Sequence, residues 1–175
     1  MKKLVCISLL IAVSFFLSRP ASAQPVGLGD DPRAGLVSAG AFVGLEFENP
    51  DHALLLGADG RISIGGGNVE INPRYVFRPF EDGSMQQIDV NVITNYRLAT
   101  PGRFRPYSGV GLGINRYLFD AFDSETNVGF NLLSGARFAM RSGAAYEPFF
   151  QAQYTIFKEA VNSFTLVVGA SFSLR

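Results

Sequence analysis

A chain of 175 residues has the length of a single domain, and its 15 Lys and Arg balance its 15 Asp and Glu. That balance excludes the concentrated basic surface on which nucleic-acid binding depends. The one cysteine, Cys6, falls in the N-terminal segment, so disulfides and cysteine metal sites are excluded from all that follows it.

In chain order, Lys2 and Lys3 form a positive start, residues 4–17 (LVCISLLIAVSFFL) an uncharged apolar run, and Ala21-Ser22-Ala23 a small-residue cleavage site. This pattern predicts a secretory signal peptide over residues 1–23, cut before Gln24. The competing reading is a membrane anchor, but a spanning helix needs about 20 apolar residues, and this run breaks at Ser18-Arg19-Pro20. Cys6 lacks the small neighbours that precede a lipidated cysteine, so a lipoprotein is not expected. Cleavage leaves 12 basic residues against 15 acidic ones, a formal net charge of −3.

Residues 24–35 read as a loose leader, which the family resemblance described below places in the periplasm, and residues 36–175 as one domain of eight period-two segments. These are 36–48, 54–64, 68–80, 87–99, 105–118, 127–141, 146–157 and 164–174, separated by short clusters of turn residues. The last segment sets Phe164, Leu166, Val168, Ala170, Phe172 and Leu174 against Thr165, Val167, Gly169, Ser171 and Ser173. The second alternates least well, because Gly57 and Gly60 interrupt it and residues 54–56 are all leucine.

Alternation alone leaves open whether the apolar face points inward, as in a soluble barrel or sandwich, or outward to lipid. Side-chain size separates the two. The charged faces repeat glycine, at Gly40, Gly44, Gly57, Gly109, Gly111, Gly113, Gly129, Gly135 and Gly169, whereas the apolar faces carry Phe77, Phe130, Phe138, Phe150, Tyr154 and Phe164. Glycine weakens a strand, so an exposed face has no reason to use it, whereas an eight-stranded barrel has a cramped interior. The polar face is therefore expected inside and the apolar face against lipid. Strand edges in hydrocarbon must be paired, so the predicted fold is all-β: a closed, eight-stranded, antiparallel, up-and-down transmembrane barrel.

The expected lumen then collects Glu46, Glu48, Asp59, Glu70, Asp89 and Glu147 with Arg61, Arg74, Arg78, Arg97, Arg105, Arg137 and Arg141. Mutual pairing is the expected arrangement, since unpaired charges in a confined lumen are costly. Such a network reads either as a plug or as a gate whose pairs exchange, and the plug is preferred because side chains fill an eight-stranded lumen.

Residues 105–114 (RPYSGVGLGI), after the Pro101-Gly102 turn, resemble the P-Y-V-G-A-G-x-G strand of the small outer-membrane β-barrel family. That group includes the transmembrane domain of outer-membrane protein A, the opacity proteins and the OmpX-type proteins. Residues 127–138 (NVGFNLLSGARF) resemble its next strand, and Gly169, Phe172 and Leu174 have the spacing of its C-terminal assembly signal. Val167 stands where that signal has a polar residue, Arg175 extends past the terminal hydrophobic position, and the chain has no tryptophan.

The resemblance implies an integral protein of the Gram-negative outer membrane, with the N-terminus and the Pro101-Gly102 turn in the periplasm. It also implies contact with outer-membrane lipid and lipopolysaccharide, and with the barrel-assembly machinery during biogenesis. The outer loops then hold Asp51, Glu81, Asp82, Asp120, Asp123, Glu125 and Glu159 against Lys158. These acids read as solvation of the loops, or as a bridge to divalent cations or a basic partner. Arg116 falls on the lipid face near the outer rim, within reach of a lipopolysaccharide phosphate if alternation holds there.

No nucleophile elbow or metal-ligand cluster occurs, and the single histidine, His52, reads as a solvated loop residue. The expectation is a monomeric, non-enzymatic envelope or surface-interaction protein without a cofactor. A narrow solute channel of porin type is the alternative, followed by a lipid A-modifying enzyme.

Overall fold

The computed structural model describes residues 37–48, 52–64, 68–96, 104–119, 124–140, 146–158 and 160–174; the predicted signal peptide and leader lie outside them. The strands are β1 (Val37–Glu48), β2 (His52–Ile64), β3 (Val69–Phe80), β4 (Gly83–Asn95), β5 (Phe104–Phe119), β6 (Glu125–Phe138), β7 (Tyr146–Phe157) and β8 (Ser163–Leu174). Each pairs antiparallel with the next, and β8 closes the barrel on β1 through the register Val37↔Leu174 to Glu48↔Ser163.

Following the registers once round, from Val37 through Ile62, Ile71, Val92, Val110, Leu132, Tyr154 and Phe164, the path returns to β1 at Phe47. This ten-residue stagger tilts the strands by roughly 40°. A 12-residue strand at that tilt spans roughly 30 Å, enough to cross an apolar band about 25 Å tall.

Burial is inverted relative to a water-soluble protein. Leu54, Ile88, Leu112 and Val168 are 59–64% exposed, while Asn72, Asp89, Asn91 and Asn131 are 0% exposed. Outward aromatics meet near both ends of the strands: Phe47 with Phe164 at 6.1 Å at one, and Phe104 with Phe138 at 5.7 Å and Tyr146 with Phe172 at 6.3 Å at the other. Phenylalanine and tyrosine thus supply belts of the kind found at membrane interfaces, in a chain without tryptophan.

Several strand boundaries differ from the sequence expectation; β6, for instance, runs Glu125–Phe138 where 127–141 was expected. β4 starts at Gly83, four residues ahead of Gln87, because the turn at Glu81 and Asp82 is complete in two residues and Gly83 takes up a positive φ of 152°. β2 starts at His52, which pairs with Phe47, so this histidine belongs to a strand and faces outward rather than lying in a loop. The second segment, irregular in sequence, is regular in space: Leu55 is buried in the lumen while Leu54 and Leu56 face out.

Contrary to what their size predicts, bulky side chains are not confined to the outer face. Phe42, Tyr107, Phe149 and Phe157 point into the lumen, and each stands directly opposite a glycine: Gly57, Gly135, Gly169 and Gly129 respectively. A Cβ on Gly135 would lie 2.6 Å from the Tyr107 ring and hydroxyl, and one on Gly57 would strike the Phe42 ring. The lumen is cramped, but glycine opens floor space on which an aromatic ring from the neighbouring strand lies flat.

One ladder is interrupted. Gly60 and Arg61 do not pair with Pro73 and Asn72, although Asp59↔Arg74 and Ile62↔Ile71 on either side keep a common register. Pro73 has no N–H to give, and the Asn72 side-chain amide donates instead to the Gly60 carbonyl at 2.8 Å.

Candidate functional site

The inward positions of the eight strands build three polar layers. Toward the end carrying the Glu81–Asp82 turn, Arg78 Nη1 donates to Glu46 Oε2 at 2.8 Å and to Glu48 Oε2 at 2.9 Å. The Tyr117 hydroxyl donates to Glu48 Oε1 at 3.3 Å. Two carboxylates therefore share one guanidinium nitrogen, with Glu46 fully enclosed and the Glu48 side chain 23% exposed.

At mid-height three asparagines on three strands form a relay across the barrel. Asn131 Nδ2 donates to Asn91 Oδ1 at 3.2 Å, Asn91 Nδ2 to Asn72 Oδ1 at 3.5 Å, and Asn72 Nδ2 to Asp59 Oδ2 at 3.0 Å. Asn131 on β6 reaches Asn91 on β4 past β5, because β5 presents Gly111 and Gly113 at this level. Beside the relay, Asp89 accepts from Gln87 at 2.7 Å and from Gln153 at 3.2 Å, and the Arg74 guanidinium donates to Gln153 Oε1. Arg74 also stacks over the Phe42 ring, 4.5 Å from its centroid.

The third layer, toward the chain termini, centres on Glu70. It accepts from Arg137 Nη2 at 3.0 Å and from Arg61 Nη1 at 3.5 Å, and Arg61 also holds Asp59 at 3.3 Å. Arg61 is 2% exposed and lies between the rings of Tyr107 and Phe149, 4.8 and 5.4 Å from their centroids. The planar guanidinium suits this setting, since its faces stack on aromatics while its edge serves carboxylates. At the rim below, Arg105 and Glu147 pair at 3.3 Å with side chains 40% and 33% exposed, so this pair edges the lumen instead of filling it.

Of the charges assigned to the lumen from sequence, Glu46, Asp59, Arg61, Glu70, Arg74, Arg78, Asp89 and Arg137 are buried inside, with Glu48, Arg105 and Glu147 at the mouths. Arg97 and Arg141 lie outside the described residues. Sequence reasoning passed over the amides Asn72, Asn91, Asn131, Gln87 and Gln153, which tie the charged layers together. Their signal was available: all are amides at inward parity, and Gln87, Asn91 and Asn131 lie on the two strands that flank the paired glycines of β5.

Arg116 is exposed and faces outward, between Gln86 on β4 and Thr126 on β6 in register. Within the described strands it is the sole Lys, Arg, Asp or Glu on the outer surface. Of the C-terminal assembly residues, Phe172 and Leu174 face outward, while Gly169 faces in, beneath the Phe149 ring.

Residues 12–173 match the family model of the outer membrane protein beta-barrel domain. No curated protein matches the chain at significant similarity. Among solved structures it resembles the N-terminal β-barrel domain of Pseudomonas aeruginosa OprF, with a TM-score of 0.65 and 17% identity over 80% of this chain and 98% of that one. Neisserial surface protein A gives a TM-score of 0.61 and 18% identity, over 79% of this chain and 96% of that one. The attachment invasion locus protein Ail of Yersinia pestis gives 0.55 and 16%, over 79% and 97%. At these identities the likeness establishes the shared barrel fold, and the family match adds the membrane. The chain belongs to the outer membrane protein β-barrel domain family and is an integral protein of the outer membrane.

Proposed function

We propose that this protein is a non-enzymatic barrel serving envelope integrity or surface interaction, with a lumen closed by its own side chains. The observation that carries this reading is the mid-height belt, where Asn72, Asp89, Asn91 and Asn131 are 0% exposed and bonded to one another or to Gln87 and Gln153. A conducting path would have to break several of these bonds at once, leaving buried polar groups unpaired at about 1–3 kcal/mol each. The outward surface suits a monomer in lipid: it is apolar over most of its height, and Arg116 near the rim is in position to reach a lipopolysaccharide phosphate. His52, the single histidine of the chain, faces away from the lumen carboxylates. Gly169, Phe172 and Leu174 are the positions assigned to recognition by the barrel-assembly machinery.

Planar-bilayer recording of the refolded protein tests the closed lumen. Silent membranes after insertion are expected, and uniform conductance steps scaling with protein concentration would establish the channel reading instead. An altered lipid A profile on deletion of the protein would overturn the non-enzymatic reading.

A further inference from the structure

Among the described residues Arg116 has no hydrogen bond or ion pair within the protein, although it stands on the lipid-facing surface. Gln86 on β4 and Thr126 on β6 flank it directly in register, at the same outward parity and likewise without a partner among the described residues. Cross-strand neighbours lie about 5 Å apart, so an amide, a guanidinium and a hydroxyl form one row about 10 Å long. The nearest acid along β6, Glu125, does not serve Arg116: it is at inward parity opposite Tyr117 and accepts from Asn127 at 3.0 Å.

The surface beneath this row is of the opposite kind. One outward step toward mid-height, the same three strands present Ile88, Ile114 and Val128, again in register and all exposed. Val90, Leu112 and Phe130 follow below them. On this sector of the barrel the change from polar to apolar is therefore complete within one row. From the stagger of the strands, Arg116 lies within about 3 Å of the height of Phe47, which meets Phe164 in the aromatic belt at this end. Polar headgroups meet acyl chains at that level.

A guanidinium at the edge of hydrocarbon calls for an anion, and a planar fork beside two further donors calls for one with several oxygens in reach. A phosphodiester presents two non-bridging oxygens, both of which the fork alone takes up. A phosphomonoester presents a third, which leaves an acceptor for the Gln86 amide and the Thr126 hydroxyl. We infer that Gln86, Arg116 and Thr126 together bind one phosphomonoester of a glycolipid in the outer leaflet, whose acyl chains lie against Ile88, Ile114 and Val128. This site rests on the lipopolysaccharide contact proposed above for Arg116, and adds to it two further ligands, a fixed sector of the barrel and a choice of phosphate.

The test is native mass spectrometry of the refolded barrel in detergent micelles, titrated with bis-phosphorylated lipid A, with fully dephosphorylated lipid A and with phosphatidylglycerol. EDTA is present throughout, so that no divalent cation links phosphate to the acids of the Glu81–Asp82 turn, and folding of every variant is checked by the heat-dependent shift in gel mobility. One saturable adduct of bis-phosphorylated lipid A is expected, with the other two lipids at least tenfold weaker. Arg116→Gln should weaken it at least tenfold, Gln86→Leu and Thr126→Val several-fold each, and Thr94→Val, an outward hydroxyl toward the opposite end of β4, not at all. Loss in Arg116→Gln with full affinity in both Gln86→Leu and Thr126→Val would overturn the three-residue site while leaving the Arg116 contact standing. Full affinity in Arg116→Gln would overturn both. Equal affinity for phosphatidylglycerol would overturn the choice of a phosphomonoester.

Discussion

Removing the carboxylate of Glu70 is the sharpest perturbation of the lumen network. This side chain, 6% exposed, holds Arg137 on one oxygen and Arg61 on the other. In Glu70→Ala, Arg61 keeps Asp59 and its two aromatic neighbours, but Arg137 keeps only the Asn95 carboxamide and a distant contact with the Tyr107 ring, 6.0 Å from its centroid. Its Nε is already without a partner, so little remains to offset its burial. Breaking a buried pair from one side costs about 3–5 kcal/mol, because the surviving charge stays desolvated. At about 1.4 kcal/mol per decade this lowers the folding equilibrium by roughly two to nearly four decades.

Glu70→Leu with Arg137→Met removes both charges and retains apolar volume, so most of that loss should return. Reversible urea unfolding in lipid vesicles measures it, followed by circular dichroism and by the fraction that keeps folded gel mobility. The double-mutant cycle decides the matter: a coupling energy of about 2 kcal/mol or more is expected, while additivity within about 0.5 kcal/mol would refute the reasoning. Additivity would mean that Arg137 reaches water in the single variant, and that the layer is wetter than its burial indicates.

The glycine and aromatic pairs give a steric prediction for the same unfolding assay: Gly135→Val should cost about 1–3 kcal/mol or more, because its Cβ strikes the Phe150 carbonyl oxygen and drives the Tyr107 ring off its floor. Gly60→Ala, whose added methyl faces outward 3.3 Å from the Pro73 ring, should cost clearly less. Asn72→Ala removes the donor that replaces the missing ladder bond at Gly60, and should destabilise by about 1–3 kcal/mol. Amide hydrogen exchange should rise along β2 and β3 and stay unchanged along β5 and β6. For the outer surface, Arg116→Gln should reduce lipopolysaccharide co-purification several-fold in native mass spectrometry, whereas Arg105→Gln at the opposite rim should not.

The inside-out polarity was legible in the sequence because a strand has two faces, and glycine with charge on one and bulky apolar residues on the other admit few arrangements. The strand count followed from the turn clusters. Boundaries were less legible: the two-residue turn before Gly83 and the start of β2 at His52 are set by the partner strands, which extend pairing past the point where local alternation stops. The aromatics within the lumen were also out of reach, since Phe42 fits only because Gly57 stands opposite it on another strand.

What the amino-acid sequence determined by itself is the class of solvent each face meets, a property repeated every second residue and needing no knowledge of neighbours. What only the tertiary structure decided is who meets whom in the interior. The ten-residue stagger around the barrel brings residues far apart in sequence to one level, joining Asn131 to Asn91 past the glycines of β5, and Glu70 to Arg137. That stagger is the sum of eight separate registers, so no local pattern in the chain contains it. The partners in the lumen, and the single guanidinium shared at its acidic mouth, follow from closure.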